Sequence, residues 1–130
     1  MSSRAAASNL AWGLASNAKS FRASACLPRS AERAPEHLFA AGYAACFGGA
    51  LDFVGKQHKQ DAAKTKITCA VSIGPREGGG FGIAVKLRVE DESLKQADLA
   101  PLVQEAHEKI CPYSHATRGN VDVQLEIMGG

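Results

Sequence analysis

The chain has no Cys-x-x-Cys pair, although it carries four cysteines, Cys26, Cys46, Cys69 and Cys111. The paired spacing that signals a structural zinc site is therefore missing. It also has no Gly-x-Ser-x-Gly stretch, which removes the nucleophile elbow of serine hydrolases. The glycines of GPREGGG (residues 74–80) do not lead a strand into a helix in the dinucleotide pattern, so they do not indicate a nucleotide site. Net charge is scarce, at +2, and by itself it calls for neither a nucleic-acid nor a membrane partner. No continuous apolar core of a secretory signal precedes the first charged segments. A reducing compartment is therefore expected, where an even cysteine count does not imply a disulfide framework. Acid is also missing from residues 1–31, which hold Arg4, Lys19, Arg22 and Arg29 among many Ser and Ala. That composition fits either a polar, Ala-rich arm or an organelle transit peptide. The expected location is cytoplasmic, or mitochondrial or another organelle if residues 1–20 are such a peptide.

With 130 residues, 45% hydrophobic and 22% charged, the chain has the size and composition of a single globular domain. Residues 1–19 are expected to form an N-terminal arm and residues 20–130 the domain. Alternation over Ser20–Leu27, with Phe21, Ala23, Ala25 and Leu27 on one side, predicts a strand. Pro35 and Glu36 suit the first turn of a helix. From Leu38 to Gly55 the only charge is Asp52, so this helix should be central and apolar all round. Asp52, several glycines and the polar flanks argue against a membrane span. Alternation at Ile67, Cys69, Val71 and Ile73, and again at Phe81, Ile83, Val85, Leu87 and Val89, predicts a hairpin across GPREGGG. Asp98 is expected to cap a second helix with Leu99, Leu102, Val103, Ala106 and Ile110 as its buried stripe. Cys111 should end that helix, because Pro112 cannot continue it. Val121, Val123, Leu125 and Ile127 predict a last strand. The order β-α-β-β-α-β indicates an α+β domain, with helices packed on an antiparallel or mixed sheet.

Two cysteines occupy the least ordinary segments. Cys46 lies within the nearly uncharged helix, where burial would raise its pKa and make it inert unless a cation or a helix end opposes that effect. Arg22, Arg29, Arg33 and Arg118 are the candidate cations. Glu36, ten residues before Cys46, could hold an arginine over the thiol through bidentate pairing, or could simply serve the helix N-terminus. Cys111, at a helix end before a proline and a polar loop, should be accessible and movable, which suits a cysteine that condenses with a sulfenic acid. Cys26 and Cys69 read as packing residues on strand faces. His107 and Cys111 are four apart, a weak metal-binding spacing that Pro112 denies to His115, and His37 and His58 look like ordinary polar positions.

PEHLFAAGYAACFGGALDFV (residues 35–54) and CPYSHATRGNVDVQLEI (residues 111–127) closely resemble the two signature segments of the organic hydroperoxide resistance proteins. That family shares a superfamily with the osmotically inducible OsmC proteins, and the resemblance covers roughly residues 20 to 127. It implies an OsmC-like α+β fold, with antiparallel or mixed sheets on two central helices, in an intertwined homodimer. It implies a thiol-dependent peroxidase in which Cys46 is the peroxidatic cysteine, Cys111 the resolving cysteine, and Glu36 the carboxylate that orients a catalytic arginine. Organic hydroperoxides are the implied substrates. Lipoyl groups on a partner protein, or other dithiols, are the implied reductants, with no metal, haem, flavin or other resident cofactor. In the family the arginine comes from an N-terminal hairpin loop. Here RSAERA (residues 29–34) replaces the usual Gly-rich stretch, and Arg4, Arg22, Arg29 and Arg33 all remain candidates. A degenerate or non-peroxidatic OsmC-like thiol protein, or a small-molecule-binding domain in which both cysteines merely pack, is the alternative.

Overall fold

The computed structural model describes residues 19–24, as backbone, and residues 35–130. The predicted order is borne out. Strand β1 (Lys19–Ser24) is followed by helix α1 (Pro35–Gln57), strands β2 (Lys66–Pro75) and β3 (Phe81–Asp91), helix α2 (Gln96–Glu105) and strand β4 (Asp122–Gly129). Two short pieces lie between α2 and β4. One is a π-helical turn (Ala106–Ile110) and the other a helix, α3 (Pro112–Thr117). The expected N-terminal arm lies largely outside the described residues, as does Cys26.

The four strands form one sheet in the order β1-β2-β3-β4. β1 pairs antiparallel with β2, and β2 with β3, whereas β4 joins β3 in parallel. The hairpin follows from the alternation read in the sequence. Gly78, Gly79 and Gly80 all take positive φ in its turn, a conformation that glycine adopts without a Cβ penalty. The registers align apolar rows across the sheet. Val71, Val85 and Val123 make one row, Cys69, Leu87 and Leu125 a second, and Ile67, Val89 and Ile127 a third. These rows face the helices and supply the sheet side of the core.

Helix α1 lies on the sheet against β1 and β2. Tyr43, Ala44, Phe47, Leu51 and Val54 recur at helical spacing and are buried. The expectation of a helix apolar and buried all round needs correction, however. Its other face is open in the single chain, where Leu38 is 56% and Phe53 50% exposed. The helix is long and apolar enough to cross a membrane by length and composition, but it packs here as one layer of an α+β domain.

The second helix also starts earlier than its apolar stripe suggested. Lys95 is the N-cap, without a side-chain bond, and Asp98 sits inside the first turn. The N–H groups of Asp98 and Leu99 both donate to the Lys95 carbonyl, so the backbone makes the start that a carboxylate was expected to make. Leu99, Leu102, Val103 and Ala106 are buried as expected, and Ile110 is half-buried.

Candidate active site

Cys46 sits midway along α1, half-buried, on the edge of the core. Cys111 arrives from the other end of the sequence. After α2 the backbone widens into the π turn, and the Cys111 N–H donates to the Ala106 carbonyl five residues back at 2.8 Å. Such a turn adds one residue to an α-helical path, and each α-helical residue rotates the chain by about 100°. The wider ring takes up that residue, and the bond from the Cys111 N–H that closes it fixes where Cys111 emerges. Cys111 itself is extended (φ −68°, ψ 118°) and forms the junction between the π turn and α3.

Together these elements place Cys46 Sγ 3.6 Å from Cys111 Sγ. Both thiols are free. Burial raises the Cys46 pKa first of all, and the neighbouring Cys111 raises it further. The Tyr113 backbone N–H donates to the Cys46 sulfur and opposes the rise. That donor matters chemically, since it favours the thiolate, the nucleophilic form of a cysteine.

Two expectations about Cys111 are corrected. It is not accessible, being only 1% exposed. The polar loop expected after it is the helix α3, in which Pro112 takes the first position, where the missing N–H costs nothing. The π turn and α3 fold over Cys111 and bury it against α1.

Behind the two sulfurs lies a buried polar network. Tyr43 Oη meets Ser114 Oγ at 2.7 Å and Thr117 Oγ1 at 3.3 Å, and Ser114 Oγ meets His107 Nδ1 at 2.7 Å. Burial, and then the charge of Arg118, hold the His107 pKa down at about 4, so the ring is neutral near neutral pH. The Arg118 guanidinium donates to the carbonyls of His107 and Glu108, both at 2.9 Å. It thus satisfies carbonyl groups of the π turn, and it is not among the groups that act on the Cys46 thiol.

The rings of Phe39, Tyr43 and Tyr113 gather around the same corner, with Tyr43 buried and Tyr113 reaching solvent. Their centroids are 5.9 Å apart for Phe39 and Tyr43, and 5.8 Å for Tyr43 and Tyr113. A Cβ on Gly42 would lie 3.4 Å from the Tyr113 ring, so the small residue lets that ring close on α1.

A model of the OsmC-like protein family matches residues 30–126. The chain belongs to the OsmC-like family. Its relatives include the organic hydroperoxide resistance protein of Xanthomonas axonopodis pv. citri, 50% identical over 94 residues, which are 72% of this chain and 65% of that protein. The chain thus spans just under two thirds of that relative's length. Organic hydroperoxide resistance protein OhrB of Bacillus subtilis is 52% identical over 94 residues, covering 72% of this chain and 68% of the relative. The crystal structure of that OhrB superposes with a TM-score of 0.68 over the same shares of the two chains. An organic hydroperoxide resistance protein from Elizabethkingia anophelis, with crystallant-derived thiocyanate bound, is 41% identical with a TM-score of 0.70, covering 81% of this chain and 73% of its own.

Within this OsmC-like chain the structure brings Cys46 and Cys111 together but does not bring Glu36 to them. Glu36 is in the first turn of α1. Ten helical residues carry it about 15 Å along the axis from Cys46, so any influence on the sulfur passes through an intervening side chain. Of the candidate arginines, Arg4, Arg29 and Arg33 lie outside the described residues, as does the Arg22 side chain, whereas Arg118 is committed elsewhere. Cys69 is a packing residue as expected, fully buried in the second apolar row. Sequence reading missed Tyr43, Ser114, His107 and the Tyr113 amide. A signal was available in Tyr43, a phenol in an otherwise apolar helix three residues before Cys46, and in Ser114, three residues after Cys111.

Proposed function

We propose that this protein is a cysteine-based peroxidase that reduces organic hydroperoxides to alcohols. The 3.6 Å separation of the Cys46 and Cys111 sulfurs carries the reading, because it makes a disulfide between them a short local step. The names of its relatives, which are organic hydroperoxide resistance proteins, support it.

The Cys46 thiolate attacks the terminal oxygen of R–O–O–H. An S–O bond forms, the O–O bond breaks, and the alkoxide leaves and takes up a proton as the alcohol. Sulfur gives up two electrons, the peroxide gains them, and Cys46 becomes a sulfenic acid. The Cys111 sulfur then attacks Cys46 and expels water as the S–S bond forms. A dithiol exchanges with that disulfide, returns both thiols and leaves oxidised. Lipoyl groups on a partner protein are the reductant we favour. The electrons balance between sulfur and peroxide, so the reaction calls on no metal, haem or flavin.

The rings of Phe39 and Tyr113, which reach the surface at the site, suit an apolar R group, such as a fatty or aromatic chain, better than hydrogen peroxide. Burial and Cys111 hold the Cys46 pKa up, so activation requires a cation, which an opposite charge within reach would supply by lowering the pKa about 1–3 units. We assign this role to an arginine held by Glu36 and contributed from Arg4, Arg22, Arg29 or Arg33. The exposed apolar face of α1, with Leu38 and Phe53, is the surface we assign to a homodimer, and we place the protein in a reducing compartment.

The test is consumption of cumene hydroperoxide with dihydrolipoate by the parent, Cys46→Ser and Cys111→Ser. Loss of turnover in Cys46→Ser, with an oxidised Cys46 trapped in Cys111→Ser, supports the reading. Equal consumption by all three proteins would sink it.

A further inference from the structure

The network of Tyr43, Ser114 and His107 takes no part in the bond changes above, yet it is placed symmetrically about them. Tyr43 stands three residues before Cys46 on α1, and Ser114 stands three residues after Cys111 on α3. Their hydroxyls meet at 2.7 Å, with Tyr43 and Ser114 both fully buried. Ser114 is also tied at 2.7 Å to His107, four residues before Cys111 on the π turn. Residues on both sides of Cys111 are thus bonded to each other and, through Tyr43, to the helix that carries Cys46.

We propose that the Tyr43–Ser114 hydrogen bond, braced by His107, is a clasp that holds Cys111 within closing reach of Cys46 and so sets the rate and equilibrium of disulfide closure. Tyr43 and Ser114 are positioning residues that touch neither peroxide nor reductant. The proposal rests on the peroxidase reading, in which Cys46 and Cys111 bond during turnover.

The geometry gives the clasp a specific task. The sulfurs start 3.6 Å apart, and a disulfide requires about 2.05 Å. Closure therefore needs a shift of about 1.5 Å. Cys111 is the single extended residue between two helical turns, which leaves that junction free to take up the shift. The clasp fixes the flanking turns, so thermal motion at the junction is spent near Cys46 and not away from it. In effect it raises the local concentration of one thiol at the other. The interior placement matters as well. Without Ser114, the buried Tyr43 hydroxyl retains Thr117 at 3.3 Å, a longer bond for a phenol with no exposed surface.

A single-turnover experiment on the full reduced chain tests this. The parent, Tyr43→Phe, Ser114→Ala and the double variant are each mixed with one equivalent of cumene hydroperoxide. Samples are quenched over time with a dione that traps sulfenic acid, then analysed by mass for Cys46 sulfenic acid and for the Cys46–Cys111 disulfide. Sulfenic acid should form at the parent's rate, within about twofold, in every variant. Its conversion to disulfide should slow about fivefold in each single variant, the factor that a buried hydrogen bond of ordinary net strength carries. The double variant should close no more slowly than Ser114→Ala, because that variant already removes the Tyr43 bond along with the one to His107. Equilibration against reduced and oxidised dithiothreitol should show the disulfide weakened by a similar factor, a readout that does not need peroxide. Tyr43→Phe keeps the packed ring, so it carries the test if Ser114→Ala does not fold. Unchanged closure in Tyr43→Phe overturns the clasp, as does equal slowing of both steps. A parent that makes no Cys46–Cys111 disulfide with peroxide, while Cys46 is oxidised, overturns the peroxidase cycle as well as the clasp.

Discussion

The sulfurs of Cys46 and Cys111 stand 3.6 Å apart, although 65 positions of chain separate them. One is carried on the longest helix and the other on the connection between α2 and β4. Because β4 pairs in parallel with β3, that connection must cross from one end of the sheet to the other. The crossover leads the second thiol past the first.

Closing a loop of 65 positions should stabilise the chain once the two sulfurs are joined. The chain-entropy model gives about 4 kcal/mol for such a loop, less whatever strain the sulfur shift introduces. Denaturant unfolding of the protein before and after one equivalent of organic hydroperoxide measures it. The oxidised parent should show the higher midpoint, and Cys111→Ser should show no gain. An oxidised parent with an unshifted midpoint would contradict the expectation.

His107 makes stability depend on pH. Its pKa is held at about 4 by burial first and by Arg118 second, against an ordinary value of 6.5. Between those values the unfolded chain binds the proton and the folded chain does not, so stability falls as the pH drops from 6.5 toward 4. The difference corresponds to at most about 3 kcal/mol over that window. In His107→Gln this part of the slope should vanish. Matching pH profiles of parent and variant would assign the slope to other groups.

Cys69 should be chemically silent. It is fully buried, and burial pushes its pKa up to about 12. In the native protein iodoacetamide should label Cys46 and spare Cys69. Cys69→Ala should lose about 1 kcal/mol of stability to the missing packing and keep full peroxide turnover. A turnover loss larger than the loss of folded protein would make Cys69 a participant.

Activation of Cys46 should trace to one arginine in the N-terminal region. Arg4→Ala, Arg22→Ala, Arg29→Ala and Arg33→Ala are compared by the pH dependence of Cys46 alkylation in a Cys111→Ser background. One of them should raise the thiol pKa by about 1–3 units. Arg118→Ala should leave that pKa unmoved, because its guanidinium binds the carbonyls of His107 and Glu108. A shift in Arg118→Ala alone would reverse the assignment.

Much of the fold was legible because its strands alternate cleanly. Ile67, Cys69 and Val71 face Val89, Leu87 and Val85 in the register that period-two burial demands. The family was legible from the two signature segments, which the structure brings to one corner. Other features were hidden because their cause is not local. Cys111 reads as a helix terminus at a polar surface, yet the π turn and α3 bury it, and a π turn has no distinctive composition to betray it. The start of α2 misled because Asp98 resembles a cap, while the Lys95 carbonyl already receives the first N–H groups. Leu38 and Phe53 looked like core residues because apolarity says only that a face must be covered, not which molecule covers it.

The widened turn at Ala106–Ile110 has a consequence for how this stretch can vary. Glu108 and Lys109 point into solvent, and their side chains are free to change. Their number has one to spare. With one residue removed, the Cys111 N–H and the Ala106 carbonyl would be four positions apart and could close an ordinary α turn in place of the wide one. A one-codon deletion here would narrow the helix without cutting the bond that leads into Cys111.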